Sequence, residues 1–305
     1  MPWLDKVSAV LEAYLGGQAV GIATLKVLYG DVNPSGHLAE TFPKKLQDNP
    51  SYLFFGGEAR GTEYREGVFV GYRYYDKKEM EVLFPFGHGL SYTTFEYSDI
   101  KVSGKDIKDT DTVTVTVTVK NTGNRAGKVV AQLYVGDVES DIIRPLRELK
   151  GFAKTELQPG ESKDVSFTLD KRSFAVWNDQ IHDWYVESGD FTIQVGNSSR
   201  DLPLCETIHV TSTTDIPRKY SMDTIFMDLM KDEKAKAAFG PLMEQIGKVF
   251  GAGSEQEHSD AAQEAITEDM TMALMNYTPL RGLLSFGGDG KTAALIEELI
   301  EKLNG

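Results

Sequence analysis

Cysteine and basic side chains are scarce in this sequence of 305 residues. Cys205 is the single cysteine, so an intrachain disulfide is excluded, and we expect a buried, inert thiol. Lysine and arginine number 32 against 46 aspartate and glutamate residues, which gives a formal net charge of −14. That balance argues against binding to nucleic acid or to an anionic membrane surface, because both need clustered basic side chains. Neutral ligands such as sugars are compatible with it.

Long apolar runs and metal-ligand motifs are also missing. No apolar run approaches the roughly 18 residues of a membrane-spanning helix. The first residues, MPWLDKVSAV, lack the basic stretch and apolar core of a signal peptide, so the expected localisation is cytoplasmic. The histidines stand singly, without metal-ligand spacing or cysteine partners, so no metal site and no cofactor are expected. They are His37, His88, His182, His209 and His258.

The first ninety residues mix helical and extended patterns. Apolar residues at helical spacing predict one helix over residues 7–15 and a second over residues 19–28, each followed by glycine. The segment GVFVGYRYYD predicts a strand, with Val68, Val70, Tyr72 and Tyr74 on one face. Two helices with one or two strands cannot cover both faces of an α/β sheet. The sequence of this region therefore predicts an incomplete α/β layer, whose apolar faces need further strands or helices from outside residues 1–90.

The region from Phe95 to Thr211 is dominated by β patterns. DTVTVTVTVKNTG alternates for nine residues, as a strand with one solvated face does. Further strands follow, about seven in all, with Asn-Thr-Gly and Pro-Gly turns between them. Short strands at this spacing predict a Greek-key sandwich of ~100 residues.

The sequence after Ile216 changes to helical patterns. The four runs are MDTIFMDLMKD, AFGPLMEQIGKVF, SDAAQEAITEDMTMALM and KTAALIEELIEKL. Their methionines are expected in a core rather than against a cofactor, and their amphipathic faces make this extension a candidate for a homodimer or interdomain contact. SFGGDGKT is similar to a phosphate-binding loop, but Ser285 stands where such a loop needs its first glycine. A capped helix is expected there instead.

Several motifs resemble, in order, the C-terminal part of glycoside hydrolase family 3, the β-glucosidase and β-xylosidase family. They are WLDKVSAVLEAYLGGQAVGIATLKVLYGDVNPSGHLAETFP, YREGVFVGYRYYD, LFPFGHGLSYTTFEY, VTVKNTGNRAGKVVAQLYV, RPLRELKGF, and LQPGES with FTLDKRSFAVWN. The resemblance implies a multidomain α+β chain. Residues 1–90 would be the C-terminal portion of an α/β sandwich, residues 91–213 a fibronectin type III-like β-sandwich, and residues 214–305 a small helical extension.

The resemblance also implies that the catalytic residues lie outside this chain. Family members carry a nucleophilic aspartate on a (β/α)₈ barrel and an acid/base glutamate on a loop upstream of the segment that resembles MPWLDKV. A retaining mechanism needs these two carboxyl groups only about 5–5.5 Å apart. No Ser-Asp-Trp-like nucleophile motif occurs here, and a barrel of ~250 residues does not fit in this sequence. We therefore expect the chain to be inactive alone.

Two sets of residues are alternative site candidates. The carboxylates are Glu58, Glu63 and Glu66. They lie in the glycine-rich stretch FFGGEARGTEYREG, where a solvated loop is the expected role. The aromatic candidates for stacking on a sugar are Tyr72, Tyr74 and Tyr75. Packing between two domains is the expected role of these rings, with LFPFGHGLSYT as the crossing between the domains.

The sequence is compatible with three functions. The favoured one is the C-terminal piece of a family 3 glycoside hydrolase, whose complete form acts on a β-glucoside or β-xyloside and whose partner is the missing barrel domain or chain. The alternatives are a non-catalytic carbohydrate-binding or interaction module and one chain of a split glycosidase.

Overall fold

The computed structural model describes residues 1–57, 61–216, 218–249, 276–284 and 290–305. The chain divides into two compact units, Met1–Asp215 and Ile216–Gly305. Among these described residues, no helix is long and apolar enough to cross a membrane. The organisation is the α+β arrangement that the sequence predicts.

The first part of the larger unit holds little regular structure. Helix α1 (Val20–Leu28) confirms the second predicted helix, and strands β1 (Phe42–Pro43) and β2 (Val82–Phe84) pair antiparallel. The helix predicted over residues 7–15 is wrong, because only a 3₁₀ turn, Leu4–Lys6, precedes an irregular stretch there. A short amphipathic helix is marginal in water without a surface to pack on, and residues 7–15 bury no side chain.

The strand predicted over GVFVGYRYYD is also wrong. Gly71 has a positive φ of 60°, which no strand residue adopts, and helix α2 (Tyr72–Lys77) begins directly after it. Val68 and Val70 are exposed, whereas Tyr72 and Tyr75 are buried three residues apart on one helix face. The buried aromatic rings of this segment therefore follow the spacing of a helix and not that of a strand.

Ten strands lie between Phe95 and Thr211 and form two sheets and a hairpin. The three-stranded sheet has the order β3 (Phe95–Val102), β5 (Val113–Asn121), β8 (Ser162–Leu169). The five-stranded sheet has the order β4 (Asp106–Lys108), β12 (Leu204–Thr211), β11 (Gly189–Gly196), β6 (Gly127–Asp137), β7 (Glu148–Leu157). Helix α3 (Lys171–Phe174) precedes the hairpin of β9 (Val176–Asn178) and β10 (Asp183–Tyr185). The predicted number of about seven matches the seven longer strands, and β4, β9 and β10 are three further short ones.

The core of the sandwich lies between the two sheets. The alternation in β5 is confirmed, since Val113, Val115, Val117 and Val119 are all fully buried. They share this core with side chains of the facing sheet such as Leu133 on β6. The threonines between them form the outer face, where Thr116 and Thr118 hydrogen bond to side chains of β8. Burying one apolar face and hydrating the other fixes the register of the strand.

Cys205 lies on β12 with an exposed side chain. The expectation of a buried thiol is therefore wrong. On this strand Ile208 and Val210 point into the core. Successive side chains alternate between the two faces of a strand, and Cys205 is an odd number of residues from both. A period of two thus places the sulfur on the solvent face.

The unit Ile216–Gly305 is helical as far as it is described. Its helices are α4 (Phe226–Met230), α5 (Glu233–Val249), α6 (Leu280–Leu283) and α7 (Gly290–Asn304). Leu229, Phe239, Leu280 and Ile296 are fully buried together, and Met222 packs against them as a core methionine should. The predicted run SDAAQEAITEDMTMALM and residues 285–289 of the phosphate-loop-like segment lie outside the described residues.

Candidate docking interface

An apolar surface extends over residues 3–32 and is left open to solvent. Thr41 is the only buried residue among the described residues before Tyr72. Helix α1 buries no side chain, although its sequence VGIATLKVL is largely apolar. The exposed apolar side chains are Trp3, Val7, Val10, Leu11, Tyr14, Leu15, Val20, Ile22, Leu25, Leu28, Tyr29 and Val32. We call this set the docking surface, because an apolar helix is stable in water only when another body covers it.

Asn33 fixes the end of the docking surface to the β-sandwich. Its Nδ2 donates to the carbonyl of Ala126 at 3.0 Å. Its Oδ1 accepts from Oγ of Ser91 at 3.0 Å and from the backbone nitrogen of Tyr92 at 2.8 Å. One side chain thus joins the loop after α1, the crossing segment and the turn between β5 and β6.

A second anchor holds the C-terminal end of α1. The hydroxyl of Tyr92 donates to the carbonyl of Val27 at 2.8 Å, and the guanidinium of Arg125 donates to the carbonyl of Gly30. Arg125 also lies over the ring of Tyr92, 5.5 Å from its centroid. These contacts hold one end of the helix through backbone carbonyls and leave its apolar side chains uncovered.

Aromatic rings join α2 to the sandwich. The rings of Tyr72 and Phe86 stack with centroids 4.7 Å apart and an interplanar angle of 20°, and Tyr72 meets Tyr134 edge-on at 5.9 Å. The hydroxyl of Tyr72 accepts a hydrogen bond from the backbone nitrogen of Leu149 at 2.8 Å. Burial raises the pKa of Tyr72, so the phenol stays neutral. We call this cluster the aromatic joint.

Gln132 satisfies the buried polar groups beside the aromatic joint. Its Nε2 donates to the carbonyls of Gly87 at 3.0 Å and Asn197 at 2.5 Å, while its Oε1 accepts from the hydroxyl of Tyr134 at 2.7 Å. Gly87 has φ of 79°, and a Cβ there would lie 2.1 Å from Oε1 of Gln132. Glycine is required at this crossing for both reasons.

A partly buried ion pair completes the attachment of α2. Nε of Arg200 donates to Oδ1 of Asp76 at 2.8 Å, and its NH2 group donates to the carbonyl of Met80 at 2.8 Å. Burial raises the pKa of Asp76, and the hydrogen bond and charge of Arg200 oppose that rise. Aromatic rings, an amide and a charge pair therefore hold α2 and the crossing segment against the β-sandwich. We call the contacts of Asn33, Tyr72, Asp76, Gln132 and Arg200 the seam.

The structure separates the three tyrosines named as sugar-stacking candidates. Tyr72 and Tyr75 are buried, with 7% and 2% of their surfaces exposed, and they serve packing. Tyr74 lines an open pocket of about 360 Å³. The pocket is lined by Pro50, Phe54, Arg65, Glu66, Phe69, Tyr74, Lys77, Lys78 and Ile143. A sugar-binding role for these tyrosines stays a prediction, and Tyr74 is the one whose position suits it.

Two of the three alternative carboxylates, Glu63 and Glu66, belong to the described part of the chain. Glu63 is exposed and pairs with Arg65. Glu66 lines the pocket with Tyr74, and its Oε2 is buried without a hydrogen-bond partner. Glu58 falls outside the described residues.

The histidines do not gather into a ligand set in the described part of the chain, where no group of three or more potential metal ligands occurs. Burial lowers the pKa of both His37 and His88, and the ring of His88 stacks on Phe84 at 5.4 Å. The ring of His88 therefore serves packing. His258 lies outside the described residues.

Sequence reasoning missed the polar residues that build the seam. Asn33 sits in DVNPSG, which indicates a turn, and Gln132 and Asp76 stand in otherwise apolar or aromatic stretches. A polar residue inside an apolar run was the available signal for Gln132, because a buried amide needs partners. Nothing in the local sequence singled out Asn33 or Arg200.

Comparisons with known proteins identify the two parts of the larger unit. Residues 1–92 match the glycosyl hydrolase family 3 C-terminal domain, and residues 129–199 match the fibronectin type III-like domain. Thermostable beta-glucosidase B from Acetivibrio thermocellus is 52% identical over 304 residues, which is 100% of this chain and 39% of that protein. The helical unit is therefore shared with this relative.

Solved structures agree with these matches. A GH3 beta-glucosidase from Bifidobacterium adolescentis has a TM-score of 0.68 at 39% identity and covers 77% of this chain and 34% of that one. Beta-glucosidase 3B from Thermotoga neapolitana, solved in complex with glucose, has a TM-score of 0.64 at 42% identity over 68% of this chain and 29% of that one. This chain thus spans 29–39% of the length of these relatives. It is homologous to the C-terminal part of the β-glucosidases of glycoside hydrolase family 3.

Proposed function

We propose that this chain supplies the non-catalytic C-terminal part of a family 3 β-glucosidase. Its docking surface packs against the portion of the enzyme that carries the nucleophile and the acid/base. In this arrangement the chain completes an α/β sandwich and fastens it to the β-sandwich through the seam. Its contribution to hydrolysis is positional, because it holds the layer on which the acid/base loop rests.

The exposed face of α1 carries this proposal. Ile22, Leu25 and Leu28 lie three residues apart, so they share one face of the helix. Their side chains are 60%, 53% and 61% exposed. Burying the exposed part of three such side chains contributes roughly 1–2 kcal/mol each. None of the described residues of the unit Met1–Asp215 covers them. A surface of this kind fits the missing strands of an α/β layer.

The proposed substrate of the complete protein is a β-glucoside rather than a β-xyloside. The relatives compared above are named beta-glucosidases, and one of them is solved with glucose. Relatives that share up to 52% identity with this chain support the same sugar class. The partner of the chain is the barrel-bearing portion, whether it lies on the same polypeptide or on another.

A chimera tests the proposal. This chain replaces the matched C-terminal portion of the Acetivibrio thermocellus enzyme, and hydrolysis of an aryl β-glucoside is measured. We expect turnover by the chimera and none by this chain alone. Hydrolysis by the chain alone contradicts the proposal, and so does a folded chimera without activity.

Variants of the chimera test whether its turnover depends on the docking surface. Leu25→Asp together with Leu28→Asp places two carboxylates in the docking surface and should abolish turnover. Phe152→Asp is the matched control, because Phe152 is an exposed apolar residue of β7 in the sandwich, 70% exposed. Equal loss of activity in both variants would show that the docking surface has no special role.

The helical unit is proposed as a contact for a homodimer or another domain. Tyr277 and Leu295 are exposed apolar side chains of this unit. Light scattering after size-exclusion chromatography at several concentrations measures the mass. A mass that stays at one chain under all conditions would contradict the dimer.

A further inference from the structure

We propose that the hairpin β9–β10 is a carbohydrate-binding platform on which Trp177 stacks against the pyranose rings of a β-linked glucan. The choice of a β-glucan rests on the proposed function. The existence of the platform rests on the hairpin itself.

Two tryptophans face each other across this hairpin. Trp177 on β9 and Trp184 on β10 are directly opposed in register, with ring centroids 5.7 Å apart at an angle of 74°. Trp184 is partly buried against the sandwich core, whereas Trp177 is 49% exposed. One indole therefore anchors the hairpin and the other is presented to solvent.

Arg172 fixes the anchored ring. Its guanidinium lies 3.2 Å from the centroid of the Trp184 ring, which is within cation–π contact. Arg172 is an exposed residue of α3, directly before the hairpin. It occupies a face of Trp184, so Trp177 is the ring left for a ligand. The guanidinium also brings hydrogen-bond donors to the rim of the platform.

The turn of the hairpin supplies further polar groups. Oδ1 of Asn178 accepts from the backbone nitrogens of Gln180 at 2.9 Å and Ile181 at 3.2 Å, which shapes the turn. Asp179 and His182 are exposed on this turn, directly beside the paired strands. A carboxylate and an imidazole are suited to hydrogen bonding with sugar hydroxyls.

A sugar ring fits this arrangement better than other ligands. A β-glucopyranose presents a flat C–H face that fits within the area of an indole, with hydroxyls around its edge, so an aromatic surface with a polar rim matches it. A net charge of −14 disfavours polyanions. A protein partner needs roughly 1,000 Å² or more of interface, and one exposed indole on a small hairpin with a polar rim is a poor basis for such an area.

Affinity electrophoresis of the full chain in native gels tests this platform. Gels contain soluble mixed-linkage β-glucan, or the α-glucan pullulan for comparison. We expect the β-glucan to retard the chain and pullulan to leave its mobility unchanged. Trp177→Ala should weaken glucan binding at least about tenfold, and Trp177→Phe should retain part of it. Phe152→Ala removes an exposed ring from β7 and should bind as the original chain does.

The outcomes separate this inference from the proposed function. No retardation of the original chain, equal retardation by pullulan, or equal retardation of the Trp177→Ala variant would overturn the platform. Circular dichroism spectra confirm that each variant is folded. The readout is binding and needs no catalytic residue. An active chimera without glucan binding therefore refutes the platform alone, and an inactive chimera with glucan binding refutes only the proposed function.

Discussion

Arg200 and Asp76 form an ion pair that ties helix α2 to the loop between β11 and β12, with Nε and Oδ1 2.8 Å apart. The two residues are 124 positions apart in the sequence. The Asp76 side chain is 6% exposed and that of Arg200 is 32% exposed. The carboxylate is thus the buried partner, and its ionised form depends on the guanidinium.

Removal of the guanidinium should destabilise the larger unit. Arg200→Met leaves the Asp76 carboxyl buried without its partner, and we expect the free energy of unfolding to fall by about 2–3 kcal/mol. Urea unfolding followed by circular dichroism measures this. Arg200→Met combined with Asp76→Asn should recover much of the loss, because no charge is then buried. An unchanged midpoint in Arg200→Met would contradict the role given to the pair.

The same variant should make stability depend on pH in a defined direction. Burial raises the pKa of Asp76, and Arg200 counteracts that rise, so Arg200→Met should raise the pKa in the folded state further. The folded protein then binds more protons than the unfolded chain above about pH 4. Its free energy of unfolding should therefore fall as the pH rises from about 4 toward 7. The variant that also carries Asp76→Asn should lack this slope in urea unfolding at several pH values.

Substitution of Gly87 tests the close packing of the crossing segment. Gly87→Ala combines a positive φ with a Cβ that would lie 2.1 Å from Oε1 of Gln132. Gly160→Ala is the control, because Gly160 has φ of 75° and no atom within 4 Å of its Cβ position. We expect a loss of about 1 kcal/mol for the control and at least about 2 kcal/mol more for Gly87→Ala. Equal losses in thermal or urea unfolding would show that the contact with Gln132 is unimportant.

The thiol of Cys205 should be accessible in the folded protein. Its exposed position on β12 predicts complete reaction with a disulfide reagent such as DTNB within minutes, without denaturant. Absorbance of the released thiolate gives the number of reacting groups, which should be one per chain. A reaction that appears only after urea is added would place the side chain in the core instead.

The sequence predicted those parts of the fold whose burial follows a local period. The alternation of β5 is an example, because each valine meets the core and each intervening residue faces outward. The same reasoning was wrong at GVFVGYRYYD, where a positive φ at Gly71 starts a helix that a strand pattern conceals. It was also wrong for residues 7–15, where helical spacing exists without a surface to support it. Local patterns cannot reveal whether that surface is present.

The candidate interface was only partly predictable. The family resemblance and the incomplete α/β layer indicated that residues 1–90 pack against another part of the enzyme. The structure adds which residues are exposed for that packing, namely the apolar side chains on one face of α1. The seam was not predictable, because contacts such as those of Asn33, Gln132 and Arg200 join positions far apart in the sequence. Trp177 and Trp184 stood in a region read only as strands, and their pairing depends on the register of a short hairpin.

The rate of thiol labelling at α1 measures directly whether the rest of the enzyme covers the docking surface. Leu25→Cys places a thiol in the middle of the docking surface, and Cys205 serves as an internal control on the sandwich. Labelling of each thiol is followed by peptide mass spectrometry in the chain alone and in the chimera with the Acetivibrio thermocellus enzyme. Both thiols should react fast in the chain alone, and in the chimera the thiol at position 25 should be protected while Cys205 reacts as before. Equal labelling of position 25 in both proteins would refute the proposed docking, because the docking surface would then be open in the complete enzyme as well.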